Sequence, residues 1–255
     1  MIKACFFDID GTLVPMLQGY VPESTRKALY DLHDRGIKLF IASGRPKSHI
    51  AMMPQELIDF PWDGYVLFNG QCCCDENFEI FHEECFTKES MASLVPYIKE
   101  NNIPVIFFEK EYSYKNRDIP NQLGGSSGVT DDPERALTHD TYQLAAYIPE
   151  EEDDEFVSHG SGIKSARWLP LYADIIPEDG GKPEGCARQL KRFGITREES
   201  MAFGDGGNDI TMLEFAGCGV AMGNADDRVK SHADYVTDDC DKDGIINALR
   251  HFNVL

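Results

Sequence analysis

The sequence predicts an α/β protein in which a doubly wound, largely parallel sheet carries a smaller inserted domain. Short, continuous apolar runs alternate with helical segments in the first part of the chain and again near its end. Such runs are typical of parallel strands that are buried on both faces. The middle stretch instead shows a helix followed by two strands, twice over. The core is therefore predicted to consist of two separated segments, with an α+β domain inserted between them.

The first apolar run, Ile2–Phe7, predicts a buried strand that ends at Asp8. A helix is expected from Pro22 to about Arg35, because Gly36 favours a helix end there. The next predicted elements are a strand at Ile37–Ala42, a helix at Lys47–Ile58 and a strand at Tyr65–Phe68. Polar residues follow these three strands, namely Asp8, Ser43 and Asn69. Since ligands of such sheets bind beyond the carboxyl ends of the strands, a ligand site is expected there.

From residue 83 the pattern changes to that of a small α+β insert. The elements predicted there are helices at Thr87–Asn101 and Glu150–His159, a glycine-containing loop at 124–128, and strands at Ile103–Phe108, Tyr112–Lys115, Tyr142–Ile148, Ile163–Trp168 and Tyr172–Ile175. Doubly wound alternation returns with helices at Pro183–Phe193, Ile210–Phe215 and Asp243–Phe252 and strands at Met201–Phe203 and Gly219–Met222. The predicted domains are residues 1–82 (core, first part), 83–178 (insert) and 179–255 (core, second part).

Composition and charge exclude several classes of protein. The 255 residues are 42% hydrophobic and 27% charged, which is ordinary for a globular protein. With 24 Lys+Arg against 44 Asp+Glu, the net charge of −20 makes nucleic acid and membrane surfaces unexpected partners. The eight cysteines are too sparse for a disulfide framework, and no signal peptide is predicted, so the expected location is the cytoplasm. The sequence makes no prediction of an oligomeric state.

The segment Asp8-Ile9-Asp10-Gly11-Thr12 directly follows the first predicted strand. Two carboxylates two residues apart repel one another in a poorly hydrated cleft, and a bound Mg²⁺ would remove that cost. A plain turn is the alternative, because Asp and Gly are common turn residues.

Three further segments carry candidate functional groups. Ser43-Gly44-Arg45-Pro46 offers a hydroxyl and backbone N–H groups for a phosphoryl oxygen, or a simple helix N-cap. Lys182 stands at a predicted helix start, where a solvent-exposed lysine is the alternative. Gly204-Asp205-Gly206-Gly207-Asn208-Asp209 combines acidic and amide side chains with glycines, which suits a cation site approached closely by the backbone. A turn is again the alternative.

Taken together and in this order, the four segments resemble the motifs of the haloacid dehalogenase-like hydrolase superfamily over nearly the whole chain. Asp8–Leu13 resembles the first motif, Ser43 the second, Lys182 the third and Gly204–Asp209 the fourth. The fourth motif, the place of the insert and Asn69-Gly70 resemble the Cof-type branch with a type IIB (C2) cap. The resemblance implies a Rossmann-like core with an α+β cap domain. It also implies a Mg²⁺-dependent phosphatase of small phosphomonoesters, expected to be sugar phosphates.

The third motif departs from the pattern of this branch. The branch usually has a lysine directly followed by glycine, whereas this chain has Lys182-Pro183-Glu184-Gly185. If Gly185 is the aligned glycine, Glu184 takes the usual place of the lysine. Lys182, two residues earlier, is kept as the predicted motif residue because it is the lysine that precedes the helix.

The resemblance implies roles for individual residues. Asp8 would be the nucleophile that forms an aspartyl-phosphate, and Asp10 would act as general acid and base. Mg²⁺ would bind the Asp8 side chain, the Asp10 backbone carbonyl and Asp205. The remaining implied residues are Thr12, Ser43, Gly44, Lys182 and Asn208 for the phosphate, with Asp209 and Asn69 in support.

Two other functions share these features. They are a phosphosugar mutase of the same superfamily and a non-catalytic module that accepts phosphate on an aspartate. In the enzyme, the cap would select a small phosphate ester by its leaving group. We hypothesise that Lys115, Arg117 and Arg167 contribute to that selection.

Overall fold

The structure is a computed structural model that describes residues 1–119 and 129–255. The glycine-containing loop predicted at 124–128 lies outside these residues. The strands are β1 (Ala4–Phe7), β2 (Lys38–Ala42), β3 (Gly64–Leu67), β4 (Cys72–Asp75), β5 (Ile80–Glu83), β6 (Val105–Phe108), β7 (Ser113–Lys115), β8 (Gln143–Ala146), β9 (Ile163–Ser165), β10 (Ala173–Pro177), β11 (Ser200–Gly204), β12 (Cys218–Ala221) and β13 (Tyr235–Val236). The α-helices are α1 (Glu23–Asp34), α2 (Gln55–Ile58), α3 (Lys88–Glu100), α4 (Asp153–Ser158), α5 (Lys182–Phe193), α6 (Ile210–Phe215), α7 (Asp227–Ser231) and α8 (Gly244–His251).

The first sheet has eight strands in the order β13-β12-β11-β1-β2-β3-β4-β5. The six strands from β13 to β3 run parallel, and β4 and β5 extend the sheet antiparallel. Residues of β1 alternate between two buried clusters, with Cys5 and Phe7 on one face and Ala4 and Phe6 on the other. The strand is therefore buried on both faces, as its continuous apolar run predicts. This architecture confirms the predicted doubly wound α/β fold.

The second sheet is antiparallel, in the order β7-β6-β8-β10-β9. One of its faces packs against α3 and α4 in a buried cluster that includes Val105, Leu144, Ile175 and Phe156. The other face is turned toward the carboxyl ends of the parallel strands. The chain passes from the first sheet to the second between β5 and β6 and returns to the first between β10 and β11. The domain boundaries at 82/83 and 178/179 remain a proposal.

One predicted helix, Lys47–Ile58, is wrong as a single element. The structure has a 3₁₀ helix at Lys47–Met52 and the short helix α2, separated by Met53 and Pro54. Proline disfavours helical geometry in the residue before it, and Met53 is accordingly extended, with ψ of 161°. The strands β4, β5 and β13 and the helix α7 were not predicted, since each is short and its apolar pattern is weak.

In the part of the chain that the structure describes, the helices lack the length and apolar character that crossing a membrane requires.

Candidate active site

The site lies where the parallel strands end. β1 and β11 are neighbours in the sheet, and the backbone N–H of Asp8 donates to the carbonyl of Phe203 at 3.0 Å. Asp205 follows β11 directly, so the two predicted acidic motifs are adjacent in space although far apart in sequence. Ser43 follows β2 and Asn69 follows the end of β3. The structure therefore brings the polar strand ends together at one edge, as the topology requires.

Lys182 is the first residue of α5, and its side chain is fully buried. Its Nζ lies 2.7 Å from Asp8 Oδ1 and 2.5 Å from Asp209 Oδ1. Burial alone would lower the pKa of Lys182, but Asp209 and Asp8 outweigh it and raise that pKa above its ordinary value. The ammonium is therefore held charged between the first and fourth motifs. This position supports Lys182, rather than residue 184, as the lysine of the third motif.

The pKa values of two buried carboxyl groups in the site are raised above their ordinary range. Burial raises the pKa of Asp8 to about 7; Lys182 opposes this, whereas Asp209 and Asp10 add to it. Burial, with the charges of Asp8 and Asp209, raises the pKa of Asp205 well above its usual range. Carboxylates that are close together and shielded from water repel one another, so this cluster favours a bound cation.

Oxygens of Asp8, Asp205 and Asp209 lie within 4.8 Å of one another, which is a spacing that one ion can bridge. Asp209 already accepts from Lys182 through Oδ1 and from the backbone N–H groups of Asp205 and Gly206 through Oδ2, at 3.0 and 2.9 Å. Its role is therefore to position Lys182 and the loop. The predicted metal ligands Asp8 and Asp205 lie beside it, and hard carboxylate oxygens suit Mg²⁺.

The first and fourth motifs interlock at Gly11 and Thr12. The hydroxyl of Thr12 donates to Asp205 Oδ1 at 2.8 Å. Gly11 has φ of +90°, and a Cβ placed there would lie 2.0 Å from Asp205 Oδ2. Only a residue without a side chain allows this approach. Asn224, which the sequence analysis missed, donates to the Gly11 carbonyl at 2.9 Å and to Asp205 Oδ2 at 3.3 Å.

The carboxylate of Asp10 lies apart from the cluster. Arg45 binds it through two hydrogen bonds, Nε to Oδ2 at 2.8 Å and Nη2 to Oδ1 at 2.7 Å. This fork geometry fixes the orientation of the carboxylate. The sequence analysis named Arg45 only as part of a loop and gave it no role. The predicted contribution of Asp10 to metal binding is its backbone carbonyl, so the position of its side chain does not bear on that prediction. The third carboxylate in the cluster with Asp8 and Asp205 belongs to Asp209.

The predicted phosphate-binding residues lie around the same edge. Ser43 is buried, and its Oγ accepts from the backbone N–H of Arg45 at 3.2 Å, which leaves the hydroxyl hydrogen for another acceptor. A Cβ at Gly44 would meet the amide of Asn69 at 3.0 Å. Asn69 Oδ1 accepts from Asn208 Nδ2 at 2.8 Å, so the supporting asparagine orients a residue of the fourth motif.

Asn69 also links the two sheets. Its Nδ2 donates to Gln143 Oε1 at 3.1 Å and to Asp174 Oδ2 at 3.0 Å, and both partners belong to the second sheet. Asp174 is buried, and this burial raises its pKa to about 7 although hydrogen bonds from Asn69 and Gln143 oppose the shift. Neither partner could be identified from the sequence, because a strand pattern does not show which residues face another sheet.

A cavity of about 640 Å³ lies between the two sheets. Asp8, Asp10, Ser43 and Asn208 line its floor, and side chains of β6, β8 and β10 line its roof. A small-molecule ligand fits a cavity of this size.

The three cap residues that we hypothesised to read the substrate, Lys115, Arg117 and Arg167, are engaged elsewhere and do not line this cavity. Lys115 pairs with Asp118 at 3.0 Å. Arg117 donates to the carbonyl of Asn102, and buried Arg167 binds Asp153.

Comparison with known proteins agrees with this architecture. YkrA of Bacillus subtilis, which carries the provisional name of a phosphatase, is 33% identical over 259 residues, covering 99% of this chain and 98% of that protein. The structure described as the HAD subclass IIB sugar phosphatase BT4131 has a TM-score of 0.89 and 35% identity, covering 99% of this chain and 100% of its own. BT1666 from Bacteroides thetaiotaomicron, described among the phosphatases of the superfamily, has a TM-score of 0.90 and 33% identity, covering 100% and 96%.

The fold and the comparisons define the class, which is a HAD-type phosphatase of subclass IIB. The chain belongs to the haloacid dehalogenase-like hydrolase family, whose model matches residues 5–249. The resemblance inferred from the four motifs is confirmed.

Proposed function

We propose that this phosphatase hydrolyses small phosphomonoesters with Mg²⁺ as cofactor, through an aspartyl-phosphate on Asp8. The observation that carries the proposal is the position of the Asp8 carboxylate. It lies at the floor of the cavity, held by Lys182 on one side and facing Asp205 on the other. A buried carboxylate with a fixed cation and a second carboxylate beside it suits nucleophilic attack on phosphorus.

Asp8, Asp205 and the backbone carbonyl of Asp10 would hold the metal. Bound there, Mg²⁺ would neutralise negative charge on the transferring phosphoryl group. The repulsion among the buried carboxylates supports this assignment, since Lys182 relieves only part of it and a divalent cation would relieve more.

In the first step, an Asp8 carboxylate oxygen attacks phosphorus and the bond between phosphorus and the ester oxygen breaks. Protonated Asp10 gives its proton to the leaving oxygen, so the alcohol departs neutral. In the second step, Asp10 takes a proton from water as that water attacks the aspartyl-phosphate. Inorganic phosphate leaves and Asp8 is regenerated.

The other residues bind and orient. Lys182 would balance the Asp8 charge and contact a phosphate oxygen, and Ser43 would donate its hydroxyl hydrogen to another. Thr12, the backbone of Gly44 and Asn208 complete the proposed phosphate contacts. Asp209 positions Lys182, and Asn69 positions Asn208.

A phosphate-release assay with Mg²⁺ tests this function. We expect inorganic phosphate from the wild-type protein, none when EDTA removes the metal, and a loss of at least roughly 1,000-fold in kcat for Asp8→Asn and for Asp10→Asn. Asp241→Asn, at an exposed position, is the matched control and should keep full activity.

The same assay separates the alternatives. A mutase would yield an isomeric sugar phosphate in place of inorganic phosphate. A non-catalytic module would retain phosphate on Asp8 and release none over many equivalents of substrate. Full activity in Asp8→Asn would contradict the assignment of the nucleophile.

A further inference from the structure

We propose that the natural leaving group is uncharged, mainly apolar and carries an aromatic ring. This inference rests on the proposed phosphatase function and narrows its substrate class. It is carried by the lining of the cavity above Asp8, and it differs from the sugar phosphates that the sequence resemblance implies.

The roof of the cavity is the inner face of the second sheet. β6, β8 and β10 lie side by side, and alternate residues of a strand point to opposite faces. Val105 and Phe107 pack outward against the cluster that contains α3, whereas Ile106 and Phe108 line the cavity. In β8, Ala145 faces the cavity in the same way. The central part of the roof is therefore apolar.

Register places a small residue at the centre of this roof. Ala145 is paired with Ile106 on one side and with Asp174 on the other. The methyl group of Ala145 lies between the larger side chains of Ile106 and Asp174, so the register implies a shallow hollow there that is apolar on the Ile106 side. An aromatic ring is flat and apolar and would fill such a hollow at little cost in conformational entropy.

The side wall supports the same class of ligand. Trp168, Leu169 and Tyr172 line the cavity, and Trp168 Nε1 donates to Tyr172 Oη at 3.0 Å. Because the indole N–H is already paired with the phenol oxygen, this wall offers ring surface and, as its hydrogen-bond donor, the Tyr172 hydroxyl. The hydroxyl groups of a polyol that face the ring surface would lie unpaired there, each at a cost in binding free energy.

Charge in the cavity argues against a second anionic group on the substrate. Arg45 is the arginine among the described residues that line the cavity. Its guanidinium already donates two hydrogen bonds to Asp10. The ring of His49 packs edge-on against Phe108. Asp174 and Gln143 form a polar corner of the cavity beside Asn69. That corner suits one N–H or O–H donor on the leaving group rather than a carboxylate or a second phosphate.

The test compares two esters of primary alcohols, 2-phenylethyl phosphate and glucose 6-phosphate, on the wild-type protein with Mg²⁺. Both have alkyl leaving groups, so their intrinsic reactivities are similar and the comparison reports the cavity. We expect kcat/KM to be at least about ten-fold higher for 2-phenylethyl phosphate, which is the scale of discrimination that an apolar pocket provides.

A variant that fills the hollow gives an independent measurement. Ala145→Leu should raise KM for 2-phenylethyl phosphate roughly ten-fold and leave that for ethyl phosphate within about two-fold, because only the larger group occupies the roof. Ala92→Leu makes the same change at an exposed position of α3 and should alter neither.

Equal or faster hydrolysis of glucose 6-phosphate by the wild-type protein would overturn the inference and leave the proposed function intact. Absence of hydrolysis of every ester in the presence of Mg²⁺ would contradict the proposed function itself, and the inference with it.

Discussion

At the scale of single residues, burial and charge decide how the site is built. Lys182 is fully buried, and an unpaired ammonium there would be very costly. Two carboxylates offset that cost, and the same contacts tie the start of α5 to the ends of β1 and β11. The departure at Glu184 in the third motif therefore has a physical explanation. Lys182 is the first residue of α5, and from that position its ammonium reaches Asp8, so a lysine at position 184 is not needed.

Asp174 gives a pH dependence at this scale. Its pKa is raised from 3.8 to about 7, chiefly by burial, so the folded protein holds a proton that the unfolded chain releases above about pH 4. Between these two values the folded state binds more protons, and the free energy of unfolding falls as pH rises. Asp174→Asn removes this penalty. We expect its stabilising effect to be larger at about pH 8 than at about pH 5, by about 1 to 3 kcal/mol.

Urea unfolding at the two pH values measures this effect, with Asp241→Asn as an exposed control that should show no such difference. Equal effects of Asp174→Asn at both pH values would mean that Asp174 is not protonated in the folded protein.

At the scale of elements, the fit between α5 and β3 positions the edge of the sheet that carries the candidate active site. Gly185 lies in the first turns of α5, and a Cβ there would lie 2.3 Å from Val66 Cγ1 on β3. The sheet and the helix therefore approach more closely than an alanine allows. Since Lys182 starts the same helix, this approach also sets the distance from its ammonium to Asp8.

We expect Gly185→Ala to cost about 1 to 3 kcal/mol of stability and to lower kcat, because α5 must move away from β3. In the double variant with Val66→Ala, the space is restored and the two losses should be less than additive by at least about 1 kcal/mol. Chemical denaturation of the two single variants and the double variant measures this coupling. Strict additivity would show that the contact does not hold the helix in place.

At the scale of the whole molecule, a net charge of −20 surrounds a site that captures an anion. Lys182 and the proposed metal would act at contact distance, whereas the surface field extends over a Debye length of about 8 Å at physiological salt. Repulsion between the surface and the substrate should therefore slow capture, and added salt should relieve it.

For a substrate whose capture limits turnover, we expect kcat/KM to rise roughly two- to five-fold between about 20 and about 200 mM KCl at constant Mg²⁺. Under the same conditions kcat should not change. Steady-state kinetics across a salt series measures both constants. A fall in kcat/KM with salt would show that a local positive field outweighs the surface charge.

The sequence by itself determined the doubly wound core, most of its elements and the four motifs, because buried strands and glycine-rich loops leave local patterns. It also placed Asp8, Asp205 and Lys182 at strand or helix ends, which topology brings to one edge. The break at Pro54 shows the limit of such patterns, since an apolar helical spacing continued across it.

Only the tertiary structure decided the partners of those residues. Arg45 on Asp10, Asn224 on Asp205 and the link from Asn69 to Gln143 and Asp174 join segments that are distant in sequence. The apolar roof of the cavity likewise depends on which face of β6, β8 and β10 turns toward the core. A strand pattern shows that alternate side chains share a face, but the packing of one sheet over another selects the face that meets the substrate.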